Sequence, residues 1–131
     1  MTVRWLSRIA LDAIHAQMIQ QYGGSHGVNS EGLIDSALAR PKNLAAYVPA
    51  ADLASLAATL AYGLAKNHGY NDGNKRTAFS AAAVFLLVNG QLLVVEQTEA
   101  VSAMVFLATD KWNEERFAKW LREHLTPTTE K

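Results

Sequence analysis

Residues 68–77 read His-Gly-Tyr-Asn-Asp-Gly-Asn-Lys-Arg-Thr, which sets a histidine, a carboxylate, a Gly-Asn turn and two cations between two strongly apolar stretches. These groups suit holding a polyphosphate and removing a proton from a hydroxyl. A buried helix leaves its first backbone N–H groups unpaired, with about half a positive charge at that end, and so makes an anion site. A helix opening at Asn74 or Lys75 would turn the amides of Gly73, Asn74, Lys75 and Arg76 into a cradle, with the Lys75 and Arg76 side chains adding formal charge. Arginine grips phosphate oxygens in pairs, whereas lysine acts as a point charge. Asp72 beside this cradle would repel a bare phosphate. It makes sense with Mg2+ between them, an ion that takes one or two carboxylates and substrate phosphates. His68, across the loop, is then placed as a general base, a role worth roughly a hundred- to ten-thousand-fold in rate. A helix-end histidine alone is more often structural, and Asp-Gly-Asn alone is usually a turn. The combination between two core helices carries the functional reading.

The flanking elements must position that loop. A first helix is expected from Ser7, its N-cap, to Tyr22, where Gly23-Gly24 stops it, with Leu11, Ile14, Met18 and Tyr22 as its buried stripe. A short second helix opens near Ser30 and is ended by Pro41. Residues 41–49, bracketed by prolines, read as an extended or hairpin-like segment. Asp52 caps a third helix with Leu53, Leu56, Ala57, Leu60 and Leu64 on one face, and His68 falls one turn beyond, beside the core. The helix after the loop is apolar on nearly every side from Ala78 to Val88, which belongs in the middle of a bundle. Asn89-Gly90 ends it, and Gln91–Glu96 reads as a strand or link. Helices over 98–109 and 113–125 complete the set, and 126–131 reads as a frayed tail. The expectation is one all-α domain over 1–131, a compact bundle of about six helices around a central buried helix.

Half of the 131 residues are hydrophobic and 18% are charged, which excludes disorder. Twelve cations balance twelve anions, so there is no global field to attract nucleic acid or an anionic membrane. The absence of cysteine excludes disulfides and thiolate metal sites. The N-terminus lacks a signal peptide's apolar run and no apolar stretch could span a bilayer, so the expected location is the cytoplasm. There is no Gly-x-x-x-x-Gly-Lys-Ser/Thr loop, and no histidine pair has zinc spacing. His15 reads as a satisfied structural histidine, His26 and His124 as loop and surface residues. Tyr70 reads as a loop anchor with a buried ring.

His68-Gly-Tyr-Asn-Asp-Gly-Asn-Lys-Arg76 resembles the Fic motif, His-x-Phe-x-Asp/Glu-Gly-Asn-Gly-Arg-x-x-Arg, and most closely its Doc (death on curing) form, His-x-Phe-x-Asp-Gly/Ala-Asn-Lys-Arg. The likeness covers about the first ninety residues. It implies that His68 is the base, that Asp72 holds Mg2+, and that Gly73, Asn74, Lys75 and Arg76 form the phosphate-binding anion hole. Residues 41–49 take the place of the Fic flap, which aligns the target protein. Three positions depart from the Fic pattern. Tyr70 replaces Phe and adds a hydroxyl that needs a partner when buried. Lys75 stands where Fic adenylyltransferases carry Gly, and Phe79 where they carry the second Arg. Doc shares the last two changes and is understood as a kinase presenting the γ-phosphate of ATP to the base. The resemblance therefore implies the toxin of a type II toxin–antitoxin module, a protein kinase acting on a hydroxyl of a translation factor, elongation factor Tu being the family's usual target. The inhibitory Ser/Thr-x-x-x-Glu-Gly/Asn pattern is missing: the residue four before Glu31-Gly32 is Gly27. Restraint in trans is implied, by a Phd-type antitoxin whose disordered segment folds on binding. Two readings stay open beside the kinase: a Fic-type adenylyltransferase, and a non-catalytic helical binding module that keeps the loop as an anion site. The modified residue, the oligomeric state and any reach of Lys66 to the nucleotide also stay open.

Overall fold

The computed structural model describes residues 2–128. Six helices follow one another: α1 Arg8–Tyr22, α2 Glu31–Tyr47, α3 Leu53–Asn67, α4 Asn74–Val88, α5 Gln97–Ala108 and α6 Glu114–Glu123. Two three-residue strands, β1 Gln91–Leu93 and β2 Leu125–Pro127, pair antiparallel with Leu92 opposite Thr126. Four helices start on a side-chain cap. Ser7, Ser30, Asp52 and Asn113 each accept the amide three residues on, which satisfies one of the donors a helix start leaves free.

The all-α expectation holds, and α3 is the most deeply enclosed element. Ten of its residues are buried, from Ala54 to Ala65, and it packs against α2, α4, α5 and α6. Its small residues allow those approaches. A Cβ on Gly63 would lie 3.1 Å from the Ala37 Cβ and 2.5 Å from the Arg40 Cδ, so α2 crosses α3 there because the side chain is missing. In α4 burial is less complete than its composition suggests. Ala78, Ala81, Ala82, Phe85 and Leu86 are buried, but Leu87 and Val88 are exposed.

Residues 41–47 correct the expected extended flap. They are helical, and α2 runs through Pro41 to Tyr47. A proline inside a helix loses one hydrogen bond and crowds the preceding turn, a cost of about 3 kcal/mol. Tertiary packing outweighs it: Ile34, Ala37 and Pro41 are buried at helical spacing, and Leu44 and Ala45 continue the stripe. Arg40 ties the same turn down, donating to the Thr59 carbonyl at 3.0 Å and to Glu114 at 2.6 Å. The link between α2 and α3 is consequently short, with the Ala51 amide bonding back to the Val48 carbonyl.

Two further expectations change. In α1 the buried residues are Leu11, His15 and Ile19, while Tyr22 is 47% exposed. The expected tail is ordered over 126–128, because β2 pairs with β1 and the Thr128 amide donates to the Gly90 carbonyl at 2.9 Å. Residues 129–131 of that tail lie outside the described residues.

The cap of α3 carries a double duty. Asp52 accepts from the Ser55 amide and from two Arg122 nitrogens, at 2.7 and 3.1 Å. The Arg122 bonds, ahead of the cost of burial, lower the Asp52 pKa from 3.8 to about 2. Its folded value is depressed, so its stabilisation is complete above about pH 4 and is lost as pH falls toward 2. Asp52→Asn is expected to remove this segment of the acid dependence in urea melts recorded between pH 2 and 5. Asp52→Ala, lacking the cap as well, should cost about 1 kcal/mol at neutral pH.

Candidate active site

The loop between α3 and α4 is bracketed by two residues in the left-handed region, His68 (φ 54°) and Gly73 (φ 74°). His68 ends α3 and reverses the chain, a conformation that costs a non-glycine residue about 1 kcal/mol. Surrounding contacts hold it. The Asn29 side chain donates to the His68 carbonyl at 3.2 Å, and the Asn29 and Ser30 amides donate to the Gly69 carbonyl at 2.8 and 3.0 Å. Gly69 has to be glycine, since a Cβ there would overlap the Ile34 side chain. The His68 imidazole is exposed and faces a cavity rather than lying beside the core.

Tyr70 turns the other way. Its ring is 3% exposed and lies flat on His15, with centroids 3.8 Å apart, and its hydroxyl donates to Asp12 at 2.6 Å. Burial, with Asp12 beside it, pushes the phenol well above its ordinary pKa, so Tyr70 stays a donor. Burial works against the Asp12 charge, but the bonds from Tyr70 and Arg8 outweigh it and hold that carboxyl below the usual value. Arg8 in turn pairs with Glu31 and Asp35 on α2. The hydroxyl that sequence required to find a partner has one.

Asn74 also turns inward. Its Oδ1 accepts from the Tyr70 amide at 3.1 Å and its Nδ2 donates to the Tyr70 carbonyl at 2.9 Å. The Asn74 side chain is thus spent on closing the loop, because those two buried backbone groups need partners. What Asn74 can offer an anion is its backbone amide. Gly73 provides no side-chain cap, and the first intrahelical bond of the turn is made by the Thr77 amide, 2.9 Å from the Gly73 carbonyl. The amides of Asn74, Lys75 and Arg76 have no helical acceptor.

Asp72 is exposed. Its Oδ1 accepts from the Gly73 amide at 2.9 Å and its Oδ2 from the Ser25 amide at 3.2 Å, which leaves lone pairs on both oxygens. Asn71 binds the same neighbouring segment, donating from its amide to the Gly27 carbonyl at 3.0 Å. Among the described residues no group of three or more His, Cys, Asp or Glu could hold a metal ion. Asp72 is the one carboxylate among the described residues that line the cavity here.

His68, Asp72, Gly73, Asn74, Lys75 and Arg76 all line one cavity of about 720 Å³, so the contiguous motif becomes a single wall. Arg76 stands at its edge with its guanidinium 4.9 Å from the Tyr22 ring centroid. The opposite wall is apolar and comes from Val95, Ala100, Val101, Met104 and Val105, residues the motif gives no hint of. All but Val95 lie on α5, whose large apolar residues exceed one buried stripe; Val101 remains 58% exposed. The supporting segment over 24–30 lies on the other side of the loop, where the Asn29 and Ser30 amides hold the Gly69 carbonyl. Lys66 is excluded from the site: it donates to Asp110 at 2.7 Å and to the Ala108 carbonyl at 3.1 Å.

The Fic/DOC family model matches residues 5–86. A relative from Escherichia phage P1, called "Protein kinase doc", is 33% identical over 120 residues, covering 92% of this chain and 94% of the relative. "Toxin Doc" of Mycolicibacterium smegmatis is 45% identical over 76 residues, 57% of this chain and 58% of that protein. With more than half of its length matched by the family model and nearly all of it aligned to a Doc relative, the chain belongs to the Fic/Doc family.

Proposed function

We propose that this chain, acting as a single Fic/Doc domain, is the toxin of a toxin–antitoxin pair and a protein kinase that moves the γ-phosphate of ATP to a protein hydroxyl. The observation that carries the reading is one cavity presenting an exposed imidazole, one carboxylate and the bare N-terminus of α4 flanked by Lys75 and Arg76. Similarity to a protein kinase over nearly the whole chain supports the same conclusion.

In the proposed reaction the amides of α4's first turn and the Lys75 and Arg76 side chains hold the phosphate oxygens. His68 takes the proton of the target hydroxyl as its oxygen attacks the γ-phosphorus. The bond from that phosphorus to the bridging oxygen breaks, and ADP leaves. Catalysis is then mainly placement and charge stabilisation. The donor set fits Mg2+ rather than zinc: a single exposed carboxylate beside the proposed phosphate site, with no cluster of three or more His, Cys, Asp or Glu among the described residues. Asp72 would hold that ion, which when bound neutralises charge on the phosphates. Lys75 and Phe79, both on the cavity wall, favour the γ- over the α-phosphate because the Fic adenylyltransferase pattern has Gly and Arg at these places. The partner expected from the resemblance is a Phd-type antitoxin, and the target is translation elongation factor Tu in the cytoplasm. No helix among the described residues is long and apolar enough to cross a membrane.

Incubation with a bacterial lysate and ATP labelled at either phosphorus tests the reaction. Label is expected to reach protein from the γ position only and to be lost with chelation of Mg2+. Transfer from the α position would replace the kinase by an adenylyltransferase, and no transfer at all would favour a binding module. His68→Ala should abolish transfer and toxicity while leaving the fold intact. Lys75→Ala and Asn74→Ala separate the two kinds of motif residue. Lys75→Ala should reduce transfer at unchanged melting temperature. Asn74→Ala should also destabilise the protein, by about 1–3 kcal/mol in denaturant titration, because it strands two backbone groups of Tyr70.

A further inference from the structure

His15 lies on α1, more than fifty residues before the motif, yet it meets the motif at three places. Its ring stacks on Tyr70 with planes 8° from parallel. Its Nε2 is 2.9 Å from the Asp72 carbonyl oxygen. A Cβ on Gly73 would sit 3.9 Å from its Cδ2 and Nε2. The side chain is 5% exposed and the helix is rigid around it, with Leu11 and Ile19 buried one turn to either side.

A carbonyl oxygen can only accept, so Nε2 carries the hydrogen. The bond therefore has a direction: α1 pulls the Asp72 carbonyl toward itself. The Asp72–Gly73 unit is a rigid trans plane whose N–H points away from its C=O. Holding the oxygen toward α1 turns the Gly73 amide to the opposite side, where it meets the Asp72 Oδ1 at 2.9 Å. The same plane leads directly into the first turn of α4. Were the bond absent, the carbonyl could rotate toward the cradle and set its partial negative charge against the phosphates.

We propose that His15 is a positioning residue, fixing the Asp72–Gly73 peptide so that the Asp72 carboxylate and the amides after it face the Mg2+–nucleotide. The proposal rests on the nucleotide site described above. It assigns His15 no contact with substrate. The Tyr70 stack contributes by locking the ring in the plane from which Nε2 reaches the carbonyl, and Asp12, one turn earlier on α1, holds Tyr70 through its hydroxyl.

Two substitutions isolate the bond from the packing. His15→Phe keeps an aromatic ring on Tyr70 and removes the donor, whereas His15→Gln restores an N–H at similar reach. Each would be compared with the parent by thermal melting, by the Gly73 amide resonance in a heteronuclear spectrum without ligand, and by calorimetric titration with the non-hydrolysable ATP analogue AMP-PNP with and without Mg2+. The expected result for His15→Phe is a folded protein with a shifted Gly73 resonance. Its affinity for AMP-PNP in Mg2+ should fall about tenfold, equal to about 1.4 kcal/mol, and the metal should add less to binding than in the parent. His15→Gln should return both readouts most of the way. Parental affinity and an unmoved Gly73 resonance in His15→Phe would overturn the assignment. If the parent itself bound no AMP-PNP, the nucleotide reading would fall, and the ligand-free Gly73 resonance alone would decide the role of His15.

Discussion

Burial of the Tyr70 ring is the interaction on which the site depends. The loop between α3 and α4 is only six residues long, begins and ends in left-handed conformation, and would have no reason to hold one shape in water. Tyr70 gives it one. Its ring stacks on His15, its hydroxyl is held by Asp12, and its amide and carbonyl are both taken by Asn74. Every polar group on the residue is thus paired inside the protein, which turns an expensive burial into a specific one. The chain entering at His68 and leaving at Gly73 then has its directions fixed from the middle.

The two helix ends brought together in this way differ in charge. α3 arrives with its C-terminus and partial negative charge, and α4 departs with its N-terminus and partial positive charge. Those partial charges suit the roles proposed for the two ends, the anion on α4 and the proton acceptor on α3. A short loop is what keeps those roles within one cavity. Lys75 and Arg76 sit at a helix start where the macrodipole disfavours cations, and they carry no acidic partner in that first turn. An anionic ligand resolves that conflict, and this is a stronger argument for phosphate than the presence of two basic residues alone.

Much of this was legible in the sequence because the signals are local. Ser7, Ser30, Asp52 and Asn113 mark helix starts through bonds three residues long, and the motif residues that line the cavity are contiguous. What was misread depends on distant partners. Pro41 obeys a local rule against helix, and the rule loses to packing of α2 on α3. β2 has no pattern of its own; it exists because Gly90 and β1 present matching backbone groups. Nothing in the spacing of Asn74 says that its side chain folds back on Tyr70 and leaves only its backbone amide for an anion. The clamp over 24–30 and the apolar wall from α5 are contacts across more than thirty residues, or across an uncovered helix face, and periodicity cannot pair them.

The motif therefore consists of two interleaved sets with different freedom to change. Tyr70 and Asn74 face inward: altering Asn74 strands two backbone groups of Tyr70, and altering Tyr70 removes the buried ring and its bond to Asp12. His68, Asp72, Lys75 and Arg76 face the cavity, and their side chains can vary without removing a bond that shapes the loop, apart from the bond between Asp72 and its neighbouring amides. Chemistry on this scaffold can diverge through the outward set alone. In the proposed reaction Lys75, where the adenylyltransferase pattern has a small residue, bears on which phosphate is gripped, and its side chain takes no part in the Tyr70–Asn74 bonds or the His15 bond beneath them. A scaffold built in this way separates the residues that shape the loop from those that face the cavity, so on the proposed function one loop geometry could serve more than one transfer reaction.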